Sequence, residues 1–322
     1  MIRRRDILGV LATLPLPMSA LPGSALAQSA GAAAATPTET TFVEVAEGVH
    51  VRVGPVEEMT PHNRGGVANL GFVVGREAVA AIDSGGNPAE GAAMIAAIRR
   101  VTDRPIRHLV ATHMHPDHIF GNQAFKAIGA EIVGHHRLAA ALGARAESYA
   151  MSMTAEIGAA AMAGLVVTLP DTGVADERVL DLGGRTLRLK AWDTAHTDND
   201  LTAFDETSGL LFAGDLVFLD HLPVIDGSLK GWLAQVPALK AVPARAVVPG
   251  HGPATAPWPT AIDRQTAYLE ALARDIRQAL AEGRTLAETV GTAAQDEARS
   301  WKLADAYAER NATAAFAELE WE

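Results

Sequence analysis

Between His113 and His118 the chain reads His-Met-His-Pro-Asp-His, three imidazoles and a carboxylate placed directly after the apolar run Leu109-Val110-Ala111-Thr112. No structural need explains so many metal-binding groups in one turn of chain. The segment therefore demands a fold in which a buried strand feeds a loop of ligands. Three further candidates follow other apolar runs: His196 just past Trp192, Asp215 after Leu211-Phe212-Ala213-Gly214, and His251 after Val247-Val248-Pro249-Gly250. Strand ends gathered at one edge of a rigid scaffold are where such sites are built. His113 and His115, two apart, can face one ion, while Asp117 and His118 face a neighbouring one. A carboxylate is needed between two cations, and Asp215 is the natural choice.

Because the chain has no cysteine, only His, Asp and Glu are left to hold a metal. Imidazole with carboxylate suits Zn²⁺, with Fe or Mn as alternatives. Two such ions roughly 3.5–4 Å apart activate a shared water and clamp both oxygens of a tetrahedral intermediate. Other catalytic devices are missing. There is no Gly-x-Ser-x-Gly elbow, no P-loop and no dinucleotide-binding glycine fingerprint.

The formal net charge of −11 argues against nucleic acid as a partner, since phosphate binding needs a basic stripe. At the N-terminus, Arg3-Arg4-Arg5-Asp6-Ile7-Leu8 opens an apolar stretch that closes on Ala25-Leu26-Ala27. Residues 1–27 read as a twin-arginine signal peptide, which places the mature protein in the periplasm with no stable membrane insertion after cleavage. Residues 28–39 read as an Ala-rich linker.

The remaining pattern predicts an α/β fold with helices outside packed sheets. Strands are expected over 41–53 (as a pair turning at Glu47-Gly48), 70–74, 78–82, 107–112, 131–133, 185–192, 201–204, 210–213 and 246–248. Asn87, Pro88 and Glu90 are an N-terminal capping arrangement for a helix burying Met94, Ile95, Ile98 and Val101. Residues 121–128 and 136–163 also read as helical. Past Pro259 the chain turns helical, with Ile262, Leu269, Leu272, Ile276 and Leu280 on one face and two more helices over 285–317.

The motifs His113-Met114-His115-Pro116-Asp117-His118, Ala195-His196-Thr197, Gly214-Asp215 and Pro249-Gly250-His251-Gly252 resemble the metallo-β-lactamase fold superfamily, over residues 40–258. The resemblance implies a four-layered αββα sandwich, here followed by a C-terminal helical extension over 259–322. It implies that His113, His115 and His196 hold the first metal, that Asp117, His118 and His251 hold the second, and that Asp215 bridges them. It also implies a structural role for Asp83. The commonest β-lactamases carry a cysteine in the second set and lack a histidine matching His118. This ligand set instead resembles that of glyoxalase II and the lactonases, although Ala195–Asp200 is similar to a β-lactamase stretch. The signal and the C-terminal residues 310–320 are also similar to exported zinc metallohydrolases associated with periplasmic quinoprotein dehydrogenases.

The function expected is an exported, dinuclear zinc hydrolase that cleaves an ester, thioester, lactone or related carbonyl bond of a small molecule with metal-bound hydroxide. Asp117 and Asp215 are its candidate catalytic carboxylates, orienting rather than acting as free bases. The alternatives are a β-lactamase, a di-iron oxidative enzyme and a non-catalytic periplasmic binding protein. Asp193, Asp198 or Asp200 is expected to orient a ligating imidazole. His221 and His62 are candidates for the substrate pocket. Phe218, Trp192 and Trp232 are candidates for its walls, with Trp192 better placed in the core. His135-His136 is expected at the surface.

Overall fold

The computed structural model describes residues 41–322; the expected signal peptide and linker lie outside the described residues. Two hairpins come first. β1 (Val43–Ala46) and β2 (Val49–Arg52) turn at Glu47-Gly48, and β3 (Leu70–Val74) is followed by β4 (Val79–Ile82). Next is α1 (Pro88–Val101), where the Asn87 side chain accepts from the Glu90 amide as expected. The Glu90 carboxylate reaches past the cap to the Gly86 amide instead. Met94, Ile95 and Ile98 are buried, but Val101, the last residue of the helix, is half exposed.

The chain continues through β5 (Ile106–Val110), α2 (Pro116–Ile119), α3 (Asn122–Ala127), β6 (Glu131–His135), α4 (Leu138–Ile157) and β7 (Thr172–Val174). β8 (Glu177–Asp181), β9 (Thr186–Ala191), β10 (Leu201–Asp205) and β11 (Leu210–Phe218) follow. α5 (Leu229–Lys240), β12 (Ala246–His251) and β13 (Ala256–Pro257) complete the sheets. The C-terminal helices are α6 (Asp263–Ala281), the short α7 (Leu286–Thr289) and α8 (Gln295–Ala298), and α9 (Ala304–Leu319). β7, β8 and α5 were not among the elements expected from sequence. Among the described residues, no helix is long and apolar enough to cross a membrane.

β1 to β7 form one sheet in chain order, and β8 to β13 form the other. Pairing is parallel from β4 to β7 and between β11 and β12. Parallel neighbours need crossovers, and α1, α2–α3, α4 and α5 supply them, which sets helices outside the sheets. The alternation of side chains then sorts the layers. Val73, Ala80, Ile82 and Val110 meet Leu187, Leu189, Ala203 and Phe212 between the sheets. Leu70, Phe72, Val79 and Ala81 face α1 and α3 on the outer side of the first sheet. Leu211, Ala213 and Val247 face Trp232 of α5, Leu269 and Leu272 of α6 and Ala312 of α9 on the outer side of the second. This is the four-layered αββα sandwich with helices beyond it.

A buried ion pair ties the edge hairpin to the second sheet. Arg185 donates to both carboxylate oxygens of Asp205, at 3.0 and 2.6 Å, and to the carbonyls of Glu47 and Val74. Removing one partner strands the other charge in a dry interior, so Asp205→Ala should cost ~3–5 kcal/mol. The measurement is the denaturant midpoint, which should fall at unchanged slope.

Candidate metal centre

All seven candidate ligands come together where the strands end. His113 and His115 lie in the loop after β5, and Pro116 starts α2, whose first turn carries Asp117 and His118. His196 sits in the β9–β10 loop, and His251 is the last residue of β12. Asp215 was expected past the end of a strand but lies inside β11, whose pairing with β12 shifts register around Gly214. The irregularity turns the carboxylate inward.

Two sets of ligand atoms result, each with all members within 4.8 Å of one another. In the first, His115 Nδ1 lies 3.0 Å from both His113 Nε2 and His196 Nε2, and Asp215 Oδ2 lies 3.6 and 3.4 Å from those same two Nε2 atoms. In the second, Asp117 Oδ2 is 3.6 Å from His118 Nε2 and 3.4 Å from His251 Nε2. Asp215 joins them: its Oδ1 is 3.2 Å from His118 Nε2 and its Oδ2 3.5 Å from His251 Nε2. Tetrahedral zinc with bonds near 2.0–2.1 Å spaces its ligand atoms by about 3.3 Å. The spacings fit.

The hydrogen bonds behind the rings point the same way. The Thr112 hydroxyl donates to Asp83 Oδ2 at 2.8 Å, so it accepts from His113 Nδ1 at 3.1 Å. His115 Nε2 donates to Asp226 at 2.9 Å, His196 Nδ1 to the Val224 carbonyl at 2.7 Å, and His118 Nδ1 to Asp83 at 2.7 Å. In these four rings the outer nitrogen is the one engaged, so the inner nitrogen is the atom turned toward a cation; His251 Nδ1 has no hydrogen-bond partner among the described residues. Inner atoms His118 Nε2 and Asp215 Oδ1 are buried with no hydrogen-bond partner among the described residues, a cost a cation would relieve.

Charge follows position. Burial, with His118, His115 and His196 nearby, holds His113 well below the usual histidine range, and burial takes His196 down to about 3. Burial opposes the charge on Asp215, but His251, His118 and His113 outweigh it and hold the carboxyl well below its ordinary value. For His118 and His251 burial is likewise outweighed, by Asp215 and Asp117; His118 is held well above its ordinary value and His251 is raised to about 9. A cation at the second set must displace those protons.

Asp83 is the hub of the bracing, taking the left-handed φ of 56° that lets its carboxylate serve both Thr112 and His118. One of Asp193, Asp198 and Asp200 was expected to orient a ligand ring, but none of them bonds one among the described residues. Asp200 instead staples the His196 loop by accepting from the Thr197 amide and hydroxyl. Asp226 does the orienting, from a loop that carries no metal-site motif.

A cavity of about 320 Å³ opens over both sets, walled by Tyr149, Met153, Phe218, His221 and Tyr307, with Arg145 and Arg310 at its sides. His221 lies 5.2 Å from the His251 ring, and Phe218 stacks on that ring at 5.3 Å. His62 is exposed and lines a neighbouring depression rather than this cavity. Trp192 is core, its indole N–H on Thr202. Trp232 is buried against His196 rather than lining the cavity. His136 is exposed, but His135 is buried, because it ends a strand inside the first sheet. Its pKa falls to about 4, chiefly from burial.

An αββα sandwich with a His/Asp cluster able to hold divalent cations at its strand ends defines a metal-dependent hydrolase. The chain belongs to the metallo-β-lactamase superfamily, whose sequence profile matches residues 63–251. It is similar in structure to a metallo-β-lactamase from Pontibacter korlensis, at 20% identity and a TM-score of 0.57, covering 71% of this chain and 98% of that one. A metallo-β-lactamase from Hirschia baltica compares at 20% identity and 0.55, covering 71% and 96%. TMB-1 does so at 15% and 0.56, with the same coverage. At these identities the likeness is one of fold. No curated protein matches the sequence significantly.

Proposed function

We propose that the protein is a dinuclear zinc hydrolase acting on an ester, thioester or lactone of a small molecule that also carries an anionic group. The reading rests on one observation above the others: two sets of inward-facing lone pairs share the single carboxylate of Asp215. His113, His115 and His196 are assigned to one ion, Asp117, His118 and His251 to the other, and Asp215 to both. Such a pair supplies an activated water and polarises the carbonyl under attack.

The chain's own residues do the rest. Asp117 lies between His118 and His251, so it orients rather than abstracts a proton. The hydroxyl of Tyr149, its pKa pushed up to about 12 chiefly by burial, stays a hydrogen-bond donor at neutral pH. With no cysteine in the second set, the site departs from the commonest β-lactamases and favours the other acyl substrates.

Arg145 and Arg310 face the cavity from α4 and α9, and neither guanidinium has a hydrogen-bonding or ion-pair partner among the described residues. A substrate carboxylate is the partner they lack. Arg310→Ala should therefore raise KM by about tenfold for a carboxylate-bearing substrate, with kcat nearly unchanged. A neutral analogue with the same scissile bond should hardly notice. Equal losses on both would sink the anion assignment.

The overall test is metal quantification of the purified protein, followed by thioesters, lactones and β-lactams. Two equivalents of zinc, with hydrolysis lost on chelation, are expected. Activity that survives complete chelation would overturn the reading. The twin-arginine stretch further supports export to the periplasm. Replacing Arg4 and Arg5 by lysine should leave the protein in the cytoplasm, and unimpaired export would refute that route.

A further inference from the structure

The helix beyond the sandwich is bonded to the metal centre through one peptide group. His196 Nδ1 donates to the Val224 carbonyl at 2.7 Å. The amide that completes this planar unit belongs to Ile225, and it donates to Asn311 Oδ1 at 3.0 Å. Asn311 sits in α9 with no exposed surface. Its Nδ2 donates to the Pro223 carbonyl at 2.6 Å and meets the Tyr268 hydroxyl at 3.0 Å. One buried side chain thus grips the peptide units on both sides of the residue that holds His196.

The same stretch is gripped elsewhere. Asp226, which accepts from His115, gives its amide to the His196 carbonyl at 3.0 Å. Leu222 donates to the Lys302 carbonyl, and Glu318 of α9 accepts from the Ser228 hydroxyl and the Leu229 amide. Residues 220–230 hold two candidate-ligand imidazoles on one side and are bonded on the other by residues 302–318.

We propose that Asn311 is a positioning residue of the metal centre, fixing the tautomer and aim of His196 through the Val224–Ile225 peptide and so making α9 part of the site. The peptide is rigid, and polarisation runs along such a chain: a donor bonded at Asn311 strengthens the acceptor that faces His196. Without Asn311 the carbonyl is free to tilt, and the Nε2 lone pair of His196 loses its fixed direction toward His115 Nδ1 and Asp215 Oδ2. The proposal rests on the dinuclear reading above.

The test uses the full chain, freed of metal and titrated with Zn²⁺ and with Co²⁺, whose visible absorption reports ligand geometry. Wild type should take up two equivalents. Asn311→Ala, compared at a temperature where circular dichroism shows it fully folded, should bind one of them about 10–100-fold more weakly, the range for loss of a group that orients a ligand. Its Co²⁺ bands should shift. Tyr268→Phe removes another partner of Asn311 but leaves the Ile225 bond, and it should keep the wild-type spectrum and affinities. Folded Asn311→Ala with wild-type affinities and bands would overturn the proposal, as would Tyr268→Phe perturbing the bands equally. Should the alanine variant not fold, Asn311→Ser, whose shorter side chain falls short of Ile225, is read by the same criteria. If wild type binds no metal, the dinuclear reading fails first, and the role of Asn311 falls with it.

Discussion

Asp215→Ala should bind no more than one equivalent of metal and lose hydrolysis by about 10²–10³-fold, the scale set by removing one preorganised electrostatic group from an active site. The size of the effect follows from the carboxylate's position. Its Oδ1 faces His118 and its Oδ2 faces His113, His196 and His251, so a single truncation opens both sets. What remains is one cluster of three imidazoles and one of two imidazoles with Asp117, and nothing joins them. Asp215→Asn, with the same shape but no charge, should fare almost as badly, which separates charge from packing. The protons give a second readout. Asp215 and Asp117 hold His118 and His251 above the usual histidine range, so metal uptake near pH 7 should release protons from wild type. In Asp215→Ala the first of these pulls is gone while that of Asp117 remains, and the release should shrink. A variant that keeps both metals and hydrolyses within tenfold of wild type would refute the shared-carboxylate arrangement.

The ligands were legible because their chemistry is crowded along the chain or follows an obvious buried strand. Groups that act on the ligands were not. Asp226 serves a histidine 111 residues away and sits in Ile225-Asp226-Gly227-Ser228, which reads as an ordinary turn. Val224 contributes only a carbonyl, and no side-chain pattern can announce that. Asn311 and Arg310 lie in an Ala-rich helix whose partner surface exists only after the second sheet has formed. The missed elements have physical reasons too. β7 and β8 are edge strands with exposed positions such as Val179, so the alternation is diluted. α5 carries Gly231 and Pro237, which weaken a helical reading until its Trp232, Val236 and Leu239 meet the sheet. The lack of a carboxylate neighbour points His135 to the surface, and its burial follows from a strand that runs two residues further than expected. Proximity in sequence to His196 favours one of Asp193, Asp198 and Asp200 as its orienting group, yet the groups that reach that histidine come from another loop.

Gly250→Ala should lose hydrolysis by about a hundredfold, approaching the loss expected for Asp215→Ala, although it alters no ligand. A methyl group at Gly250 would stand 1.8 Å from Asp215 Oδ1 and 2.8 Å from the Gly214 carbonyl carbon. The first contact is far inside any tolerable separation, and the second is with backbone, which cannot swing aside like the end of a flexible chain. Either β11 or β12 must move, and the ligands Asp215 and His251 ride on those two strands. Forcing an atom into a packed interior costs ~1–3 kcal/mol in stability. That is modest beside the expected functional loss, because an orienting error near 1 Å is enough to lower a rate about a hundredfold. Gly143→Ala is the matched control: Gly143 is exposed on α4 with open space around it, and helix propensity there should add roughly 0.5–1 kcal/mol without touching activity. The decisive comparison is metal stoichiometry and rate in Gly250→Ala at a temperature where it is fully folded. Two tightly bound equivalents and a wild-type rate would mean that Asp215 does not need the space this glycine leaves, and the placement of the shared carboxylate would have to be given up.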